Sequence, residues 1–288
     1  MKKNKYKSAQ RCVNEQQPKY TEAEIRESLQ SPMSKDYIWI VAEDVDDMNL
    51  YQRMYESKKV IVRTSKDKKG LKSCENVEQI VSHLLNKRVI GIRDRDYTDF
   101  IDDYTPSSNV VRTDLRDIEM QMLYSESIKK ELSKINCNFQ NCFNLIKNFA
   151  CRFCFYRIFN DVYCLGINFK KDIKMASYWD DDKKMARVDW EKMLKRKIFE
   201  RKVVQKKWST IALMTRDFNT MVRKKILRNK NAYEICQGHN FVSLLETVEK
   251  KFQNLSDCLF QWYAVKDYQS TNMSKQIKAL AKKVAVKV

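Results

Sequence analysis

Glycine, proline and histidine are scarce in this chain of 288 residues, and each scarcity excludes a class of protein or site. The 4 glycines and 3 prolines argue against a turn-rich sandwich or barrel and favour long helices. With only 2 histidines, zinc-hydrolase chemistry and ribonuclease chemistry based on paired histidines are poorly supplied. The purest apolar run in the first half of the chain, residues 37–42, is too short to span a membrane, so we expect no membrane partner.

Regular cysteine spacing and a secretory leader are also missing. No apolar stretch follows the basic residues at the start, which predicts no secretory signal. The 9 cysteines are odd in number and irregular in spacing, which is typical of reduced thiols and favours a cytoplasmic location. A zinc cluster is one alternative for four of them, but it contains a single CxxC, and buried thiols in a helical core are the favoured interpretation. These four are Cys137, Cys142, Cys151 and Cys154.

Positive charge is abundant and unevenly distributed. The net charge is +19, and chains this basic usually meet polyanions, most commonly nucleic acid. Residues 36–126 nevertheless hold 14 Lys and Arg against 18 Asp and Glu. Residues 183–230 hold 17 basic and 4 acidic residues. The pattern suggests an acidic part for carboxylate or cation chemistry and a basic part that neutralises phosphates.

The apolar pattern predicts an α/β protein with a mainly parallel sheet flanked by helices, followed by a basic all-helical domain. A helix over 21–30 precedes strands at 37–42, 59–64, 88–93 and 109–113, with helices between them near 46–56 and 75–86 and a last one at 115–124. Strand signals nearly vanish after residue 126. We therefore predict an N-terminal tail and helix over 1–35, a catalytic domain over 36–126 and a helical domain over 127–288.

Acidic clusters follow three of the predicted strands, where a parallel sheet presents its site. The first runs from Glu43 to Asp47, the second is Asp94-Arg-Asp96, and the third runs from Asp114 to Glu119. Alternate residues of an extended chain point the same way, so Asp94 and Asp96 are expected to converge on one ion. Carboxylate oxygens suit Mg²⁺ or Mn²⁺. Acidic residues also begin helices, and Asp46 and Asp117 fit that alternative well.

This ordered set resembles the TOPRIM (topoisomerase–primase) family, which carries a Glu after its first strand and an Asp-x-Asp after its third. The stretches 89–96 and 113–119, with Gly238-His239, look more narrowly like the TOPRIM effector subunits of PARIS-type antiphage defence systems. One departure is Asp44, because many members of the family have Gly directly after the Glu. The resemblance covers about residues 36–126 and a few near 238.

The resemblance implies a metal-dependent endonuclease, with Glu43, Asp94 and Asp96 as its catalytic residues. Glu43 would act as a general acid/base or metal ligand, and Asp94 and Asp96 as Mg²⁺ ligands. Supporting metal ligands are expected among Asp47, Asp114 and Glu119. The implied setting is the toxic effector of an antiphage system that cleaves RNA, with tRNA favoured and DNA open, when an ABC-type ATPase partner releases it. A homodimer is left open.

Two further features have competing interpretations. The lysines around Gly70, including Lys68, Lys69 and Lys72, either contact phosphate or lie in a solvated loop. His239 either orients a phosphate or is structural, and the structural interpretation is favoured. For the whole chain, the alternative to an enzyme is a non-catalytic TOPRIM-like module that binds nucleic acid or a partner protein.

Overall fold

The computed structural model describes residues 21–66, 73–98, 105, 107–169, 172–223 and 231–284. In these residues the chain forms two compact units. The first unit contains the described residues of 1–95, 105–114 and 264–288, and the second contains those of 96–104 and 115–263. The C-terminal residues from Ala264 onward therefore group with the N-terminal part of the chain, whereas the sequence-based division assigns them to the helical domain.

The first unit is built on a four-stranded sheet in which every pairing is parallel. The strand order is β2-β1-β3-β4, and helices separate the first three strands along the chain. The elements are α1 (Thr21–Gln30), β1 (Ile38–Ala42), α2 (Val45–Met54), β2 (Val60–Thr64), α3 (Ser73–Leu84), β3 (Val89–Arg93), β4 (Val110–Arg112), α13 (Val265–Ser270) and α14 (Asn272–Lys282). This arrangement confirms the predicted α/β class with a parallel sheet flanked by helices.

The central strands β1 and β3 are apolar because both of their faces are covered. Every residue of both strands is buried, as expected for a parallel sheet between helices. One face of the sheet packs on α1 and α3 through a cluster that includes Ile25, Trp39, Val77 and Ile80. Burial of these side chains stabilises the unit by about 1.5–3 kcal/mol each.

The second unit is mostly helical. Its elements are α4 (Ile118–Tyr124), α5 (Glu126–Ile135), α6 (Phe139–Val162), β5 (Trp179–Asp180), β6 (Met185–Ala186), α7 (Trp190–Phe199), α8 (Lys202–Lys207), α9 (Ile211–Met221), α10 (Ala232–Ile235), α11 (Gly238–Val248) and α12 (Leu255–Trp262). The antiparallel pair β5–β6 is absent from the sequence-based prediction. Two-residue strands are too short to leave a period-two pattern, which explains the omission.

Side chains at the starts of α1 and α2 form hydrogen bonds with backbone groups. The Thr21 hydroxyl donates a hydrogen bond to the Thr64 carbonyl. Asp46 was expected to start α2, whereas Asp44 is the N-cap residue, and its Oδ1 accepts from the N–H groups of Asp46 and Asp47. Because a carboxylate can satisfy these first amides, Asp44 has a structural role at the start of α2.

None of the helices that the structure describes combines the length and the apolar character needed to cross a bilayer.

Gly91 is required by the packing between β3 and α3. A Cβ atom at this position would lie 2.7 Å from Val77 Cγ1 and 3.0 Å from Val81 Cγ2. Both valines are buried and β-branched, so they have little freedom to move aside. Gly91→Ala is therefore expected to lower the free energy of unfolding by about 1–3 kcal/mol, measured by chemical denaturation.

The double variant Gly91→Ala/Val77→Ala supplies the control. Removing the Val77 methyl groups makes room for the new Cβ, so the two substitutions should cost less together than the sum of their separate effects. Strict additivity of the two effects would show that contact with Val77 does not cause the loss of stability in Gly91→Ala.

Candidate functional site

Glu43 and Asp94 lie at the same edge of the sheet, directly after β1 and β3. These strands are parallel neighbours, with Val41 in register with Gly91, so their carboxyl ends emerge side by side. Glu43 Oε1 accepts a hydrogen bond of 2.9 Å from the backbone N–H of Asp94. The first unit thus brings together the two carboxylate residues that the strand-end argument predicted.

Side chains that follow β2 fix the backbone at Glu43. The hydroxyls of Thr64 and Ser65 donate to the Glu43 carbonyl at 3.4 and 3.2 Å. On the other side, Asp44 caps α2 and places Asp47 in the first turn of that helix. Both Glu43 and Asp47 are partly exposed. The turn between β1 and α2 is therefore held from both sides, which keeps the Glu43 side chain at the sheet edge.

Asp96 belongs to the second unit and has a different environment. Its carboxylate forms an ion pair with the buried Arg116 at 2.5 Å, and its backbone N–H donates to the Arg116 carbonyl. Asp96 has a φ of 48°, in the left-handed region that non-glycine residues rarely adopt. Because β3 ends at Arg93 and Asp96 is not extended, the extended-chain argument for Asp94 and Asp96 does not apply, and their convergence on one ion stays a prediction.

Arg116 is the centre of a buried polar cluster that the acidic pattern did not reveal. Its guanidinium lies 4.0 Å from the centre of the Tyr97 ring, and its backbone N–H donates to the Tyr233 carbonyl. Nearby Tyr97 and Asp96 raise the pKa of Arg116 against the effect of its burial, so it stays charged. The sequence feature that could have indicated this cluster is the single arginine within the acidic stretch 114–119.

Asp117 is fully enclosed in the second unit and links α4 to α11. Its carboxylate accepts from the N–H of Met120, as the N-cap of α4, and from the N–H of Gly238 at 2.8 Å. Burial raises the pKa of Asp117, while the Arg116 guanidinium and these two amides act to lower it. The sequence-based interpretation of Asp117 as a helix starter is confirmed.

The remaining predicted residues fall in three different places. Asp114 binds two backbone amides at the start of α14, those of Asn272 and Met273, at 2.7 Å each. Glu119 lies in the first turn of α4. The exposed His239 is the second residue of α11. The predicted phosphate-binding residues Lys68, Lys69 and Lys72 lie outside the described residues.

Some of the cysteines and aromatic residues of the helical unit belong to its core. The seven cysteines whose side chains the structure describes are free thiols, and Cys154 is buried on α6. Trp190, Trp208 and Phe218 are buried, and Phe199 is partly exposed. Basic residues occupy the opposite, exposed side of α7 and α8, including Lys197, Lys202 and Lys206. No ion pair involves these three lysines within the described ranges.

The donor chemistry at the sheet edge fits a hard cation. Glu43, Asp47 and Asp94 offer carboxylate oxygens, which are the ligands that Mg²⁺ and Mn²⁺ prefer. In the residues described, no group of three or more His, Cys, Asp or Glu is already arranged as a metal-binding cluster. Comparison of the chain with protein-family models, with curated proteins and with solved structures found no match.

Gly238 allows α11 to approach α4 closely enough for the bond to Asp117. A Cβ atom on Gly238 would lie 2.4 Å from Glu119 Cβ and 2.5 Å from Asp117 Oδ1. Because the helix start would have to move away and leave the buried carboxylate with one amide fewer, Gly238→Ala should destabilise the protein by about 2 kcal/mol or more. Thermal and denaturant unfolding measure the effect.

The neighbouring residue is a matched control. His239→Ala changes an exposed side chain on the same helical turn, and its free energy of unfolding should stay within about 0.5 kcal/mol of the wild type. Equal stability of the Gly238→Ala and His239→Ala proteins would contradict the packing argument.

Proposed function

We propose that this chain is a metal-dependent endonuclease of the TOPRIM type. The observation that carries the proposal is the hydrogen bond between the Glu43 carboxylate and the Asp94 amide. This bond joins the acidic residues that follow two adjacent parallel strands. Open parallel sheets carry their sites at the edge formed by the carboxyl ends of the strands. The strand order β2-β1-β3-β4 gives both residues central positions in the sheet.

Glu43 and Asp94 would hold Mg²⁺ or Mn²⁺ at this edge, with Asp47 on α2 as a supporting ligand. Such an ion, when bound, polarises a phosphate oxygen and lowers the pKa of a bound water. Glu43 is also the residue proposed to move a proton, because its carboxylate is partly exposed and its backbone is fixed by the hydroxyls after β2.

Asp96 remains in the proposed ligand set together with Asp114 and Glu119, and each already has a partner or a place in the fold. Asp96 is paired with Arg116, and Asp114 binds the amides that begin α14. For Asp96 to bind metal, the ion would have to share the Asp96 carboxylate with the buried Arg116 guanidinium. A carboxylate has two oxygens and about four lone-pair positions, so the Arg116 contact and a metal contact can coexist on one side chain.

The exposed side of α7 and α8 is the proposed nucleic-acid interface. We define the basic surface as Lys197, Lys202 and Lys206, which are exposed while Leu194, Ile198 and Val204 face the core. Release of counterions from the phosphates would provide most of the affinity, without sequence preference.

The wider biological role follows from the resemblance. The proposal is that the chain is the toxic effector of an antiphage system, with an ABC-type ATPase as its partner and RNA, particularly tRNA, as its target. A basic surface binds RNA or DNA, so the target must be identified by experiment.

A second candidate is a non-catalytic module that binds nucleic acid or a partner. It is favoured by the structural use of acidic residues from the strand-end clusters, because Asp44, Asp114 and Asp117 all bind backbone amides. In this version the basic surface still binds nucleic acid, and the carboxylates only organise helix ends.

Replacing the Glu43 carboxylate is the most direct test of catalysis. Glu43→Gln keeps the size of the side chain and its ability to accept the Asp94 amide, but removes the charge and the proton-transfer group. We expect cleavage of total RNA or of DNA to fall at least about a hundredfold. The measurement is cleavage of purified RNA and DNA by purified protein, with Mg²⁺, with Mn²⁺ and with a chelator.

Two controls separate catalysis from folding. Glu56→Gln removes an exposed carboxylate from the same unit and should cut at the wild-type rate. Circular dichroism should show the same unfolding midpoint for both variants. A folded Glu43→Gln protein that cuts as fast as wild type would exclude the proposed site, and a wild-type protein that binds RNA without cutting it would favour the non-catalytic module.

The basic surface makes a separate prediction about binding. A triple variant with Gln at Lys197, Lys202 and Lys206 should bind RNA more weakly and show a smaller salt dependence. The slope of log K against log salt should decrease by roughly 0.7–0.9 for each phosphate that the variant no longer neutralises. Fluorescence anisotropy between 50 and 200 mM salt, roughly the range in which such interactions are resolved, measures both quantities.

A variant with the same change in charge provides the comparison. Gln at Lys130, Lys250 and Lys251 removes three exposed lysines from α5 and the short helix after α11. If both triple variants lose the same affinity, net charge determines binding, and the assignment of the interface to α7 and α8 is wrong.

A further inference from the structure

Three thiols from different parts of the chain meet inside the second unit. Cys151 and Cys154 lie one turn apart on α6, and Cys236 directly follows α10. The sulfur atoms of Cys151 and Cys236 are 3.6 Å apart, although the residues are 85 positions apart in the chain. Cys236 also forms a hydrogen bond with Cys154.

The three thiols differ in exposure. Cys154 and Cys236 have no solvent-accessible surface, whereas Cys151 is partly exposed. A small oxidant arriving from solvent would therefore reach Cys151 first, because reactivity depends on access as well as on the thiolate fraction. The buried Cys236 thiol lies directly behind it, in the position of a resolving thiol.

The two buried thiols differ in the direction of their pKa shifts. Burial and the hydrogen bonds with Cys151 and Cys154 raise the pKa of Cys236. The hydrogen bond from Cys236 lowers the pKa of Cys154 against the effect of its burial, as do the backbone N–H of Gln237 and the Arg157 guanidinium. The 3.6 Å separation of the Cys151 and Cys236 sulfur atoms, rather than these shifts, identifies the pair that can join.

We propose that Cys151 and Cys236 are a reversible redox site that forms a disulfide when the protein meets a peroxide. Hydrogen peroxide oxidises the Cys151 thiol to a sulfenic acid and releases one water. The Cys236 sulfur then attacks the Cys151 sulfur, the S–O bond breaks, and the hydroxyl leaves as a second water with the Cys236 proton. In total, two thiols are oxidised, one peroxide is reduced, and two waters form.

The disulfide would act on the segment that holds Asp117. Gln237 and Gly238 follow Cys236 immediately, and the Gly238 amide binds the Asp117 carboxylate. The Gln237 side chain accepts a hydrogen bond from Arg157 of α6. A covalent bond from α6 to Cys236 would fasten this segment more firmly and would restrict the unfolded chain, so the oxidised protein should unfold at a higher temperature than the reduced one.

Peptide mapping after peroxide treatment tests the proposal on the full chain. The protein is exposed to hydrogen peroxide, free thiols are blocked with iodoacetamide, and peptides are analysed by mass spectrometry without reductant. We expect a linked pair containing Cys151 and Cys236, which disappears after dithiothreitol. The thermal midpoint should rise with peroxide and fall again with dithiothreitol.

Cysteine variants distinguish the Cys151–Cys236 disulfide from other oxidation products. Cys151→Ser should leave Cys236 reduced and abolish the rise in midpoint, while Cys142→Ser, a partly exposed thiol on the same helix, should behave as wild type. Cys236→Ser should accumulate sulfenic acid at Cys151, trapped by dimedone. If Cys236→Ser does not fold, the Cys151→Ser result still tests the pair.

Two results would overturn the assignment. One is a wild-type disulfide between Cys154 and Cys236 in place of the proposed pair. The other is oxidation of Cys151 to sulfinic acid with no linked peptide at any dose of peroxide. Neither result bears on the nuclease proposal, because no step of the disulfide chemistry uses the sheet-edge carboxylates.

Discussion

The parallel pairing of β1 with β3 is the constraint on which the candidate site depends. It sets Val41 beside Gly91, and a few residues further along each strand the carboxylate residues Glu43 and Asp94 leave the sheet together. Gly91 has no side chain where α3 packs against β3, and a Cβ atom there would lie 2.7 Å from Val77 Cγ1 of that helix. A glycine inside a buried strand is costly for conformational entropy, and here it permits the helix–sheet contact that supports the central strands.

Acidic residues in this chain have two separable uses. Asp44, Asp114 and Asp117 accept hydrogen bonds from backbone amides at the starts of helices, where a carboxylate also interacts favourably with the helix dipole. Glu43 and Asp94 instead meet at the sheet edge. Acidic clusters at strand ends are therefore ambiguous in a sequence, because the loop after a strand is also the loop before a helix.

The basic residues of α7 and α8 lie on an exposed surface and not in the core of the second unit. These residues lie on the side opposite Leu194, Ile198 and Val204, so the folded unit neither buries them nor neutralises all of them. A protein with a net charge of +19 is destabilised by self-repulsion. That repulsion is reduced when a polyanion covers the surface, which is consistent with the proposed affinity for nucleic acid.

The sequence by itself determined the order of strands and helices up to residue 124, because apolar periodicity reports which side of an element is buried. It also placed Glu43 and Asp94 after their strands, and the rule that parallel strands end at one edge brought them together. Only the tertiary structure decided that Asp114 binds the amide of Asn272, 158 positions away, that Asp117 binds Gly238, and that Cys151 meets Cys236. Such contacts depend on how distant segments pack, and no local pattern of residues encodes the distance between them.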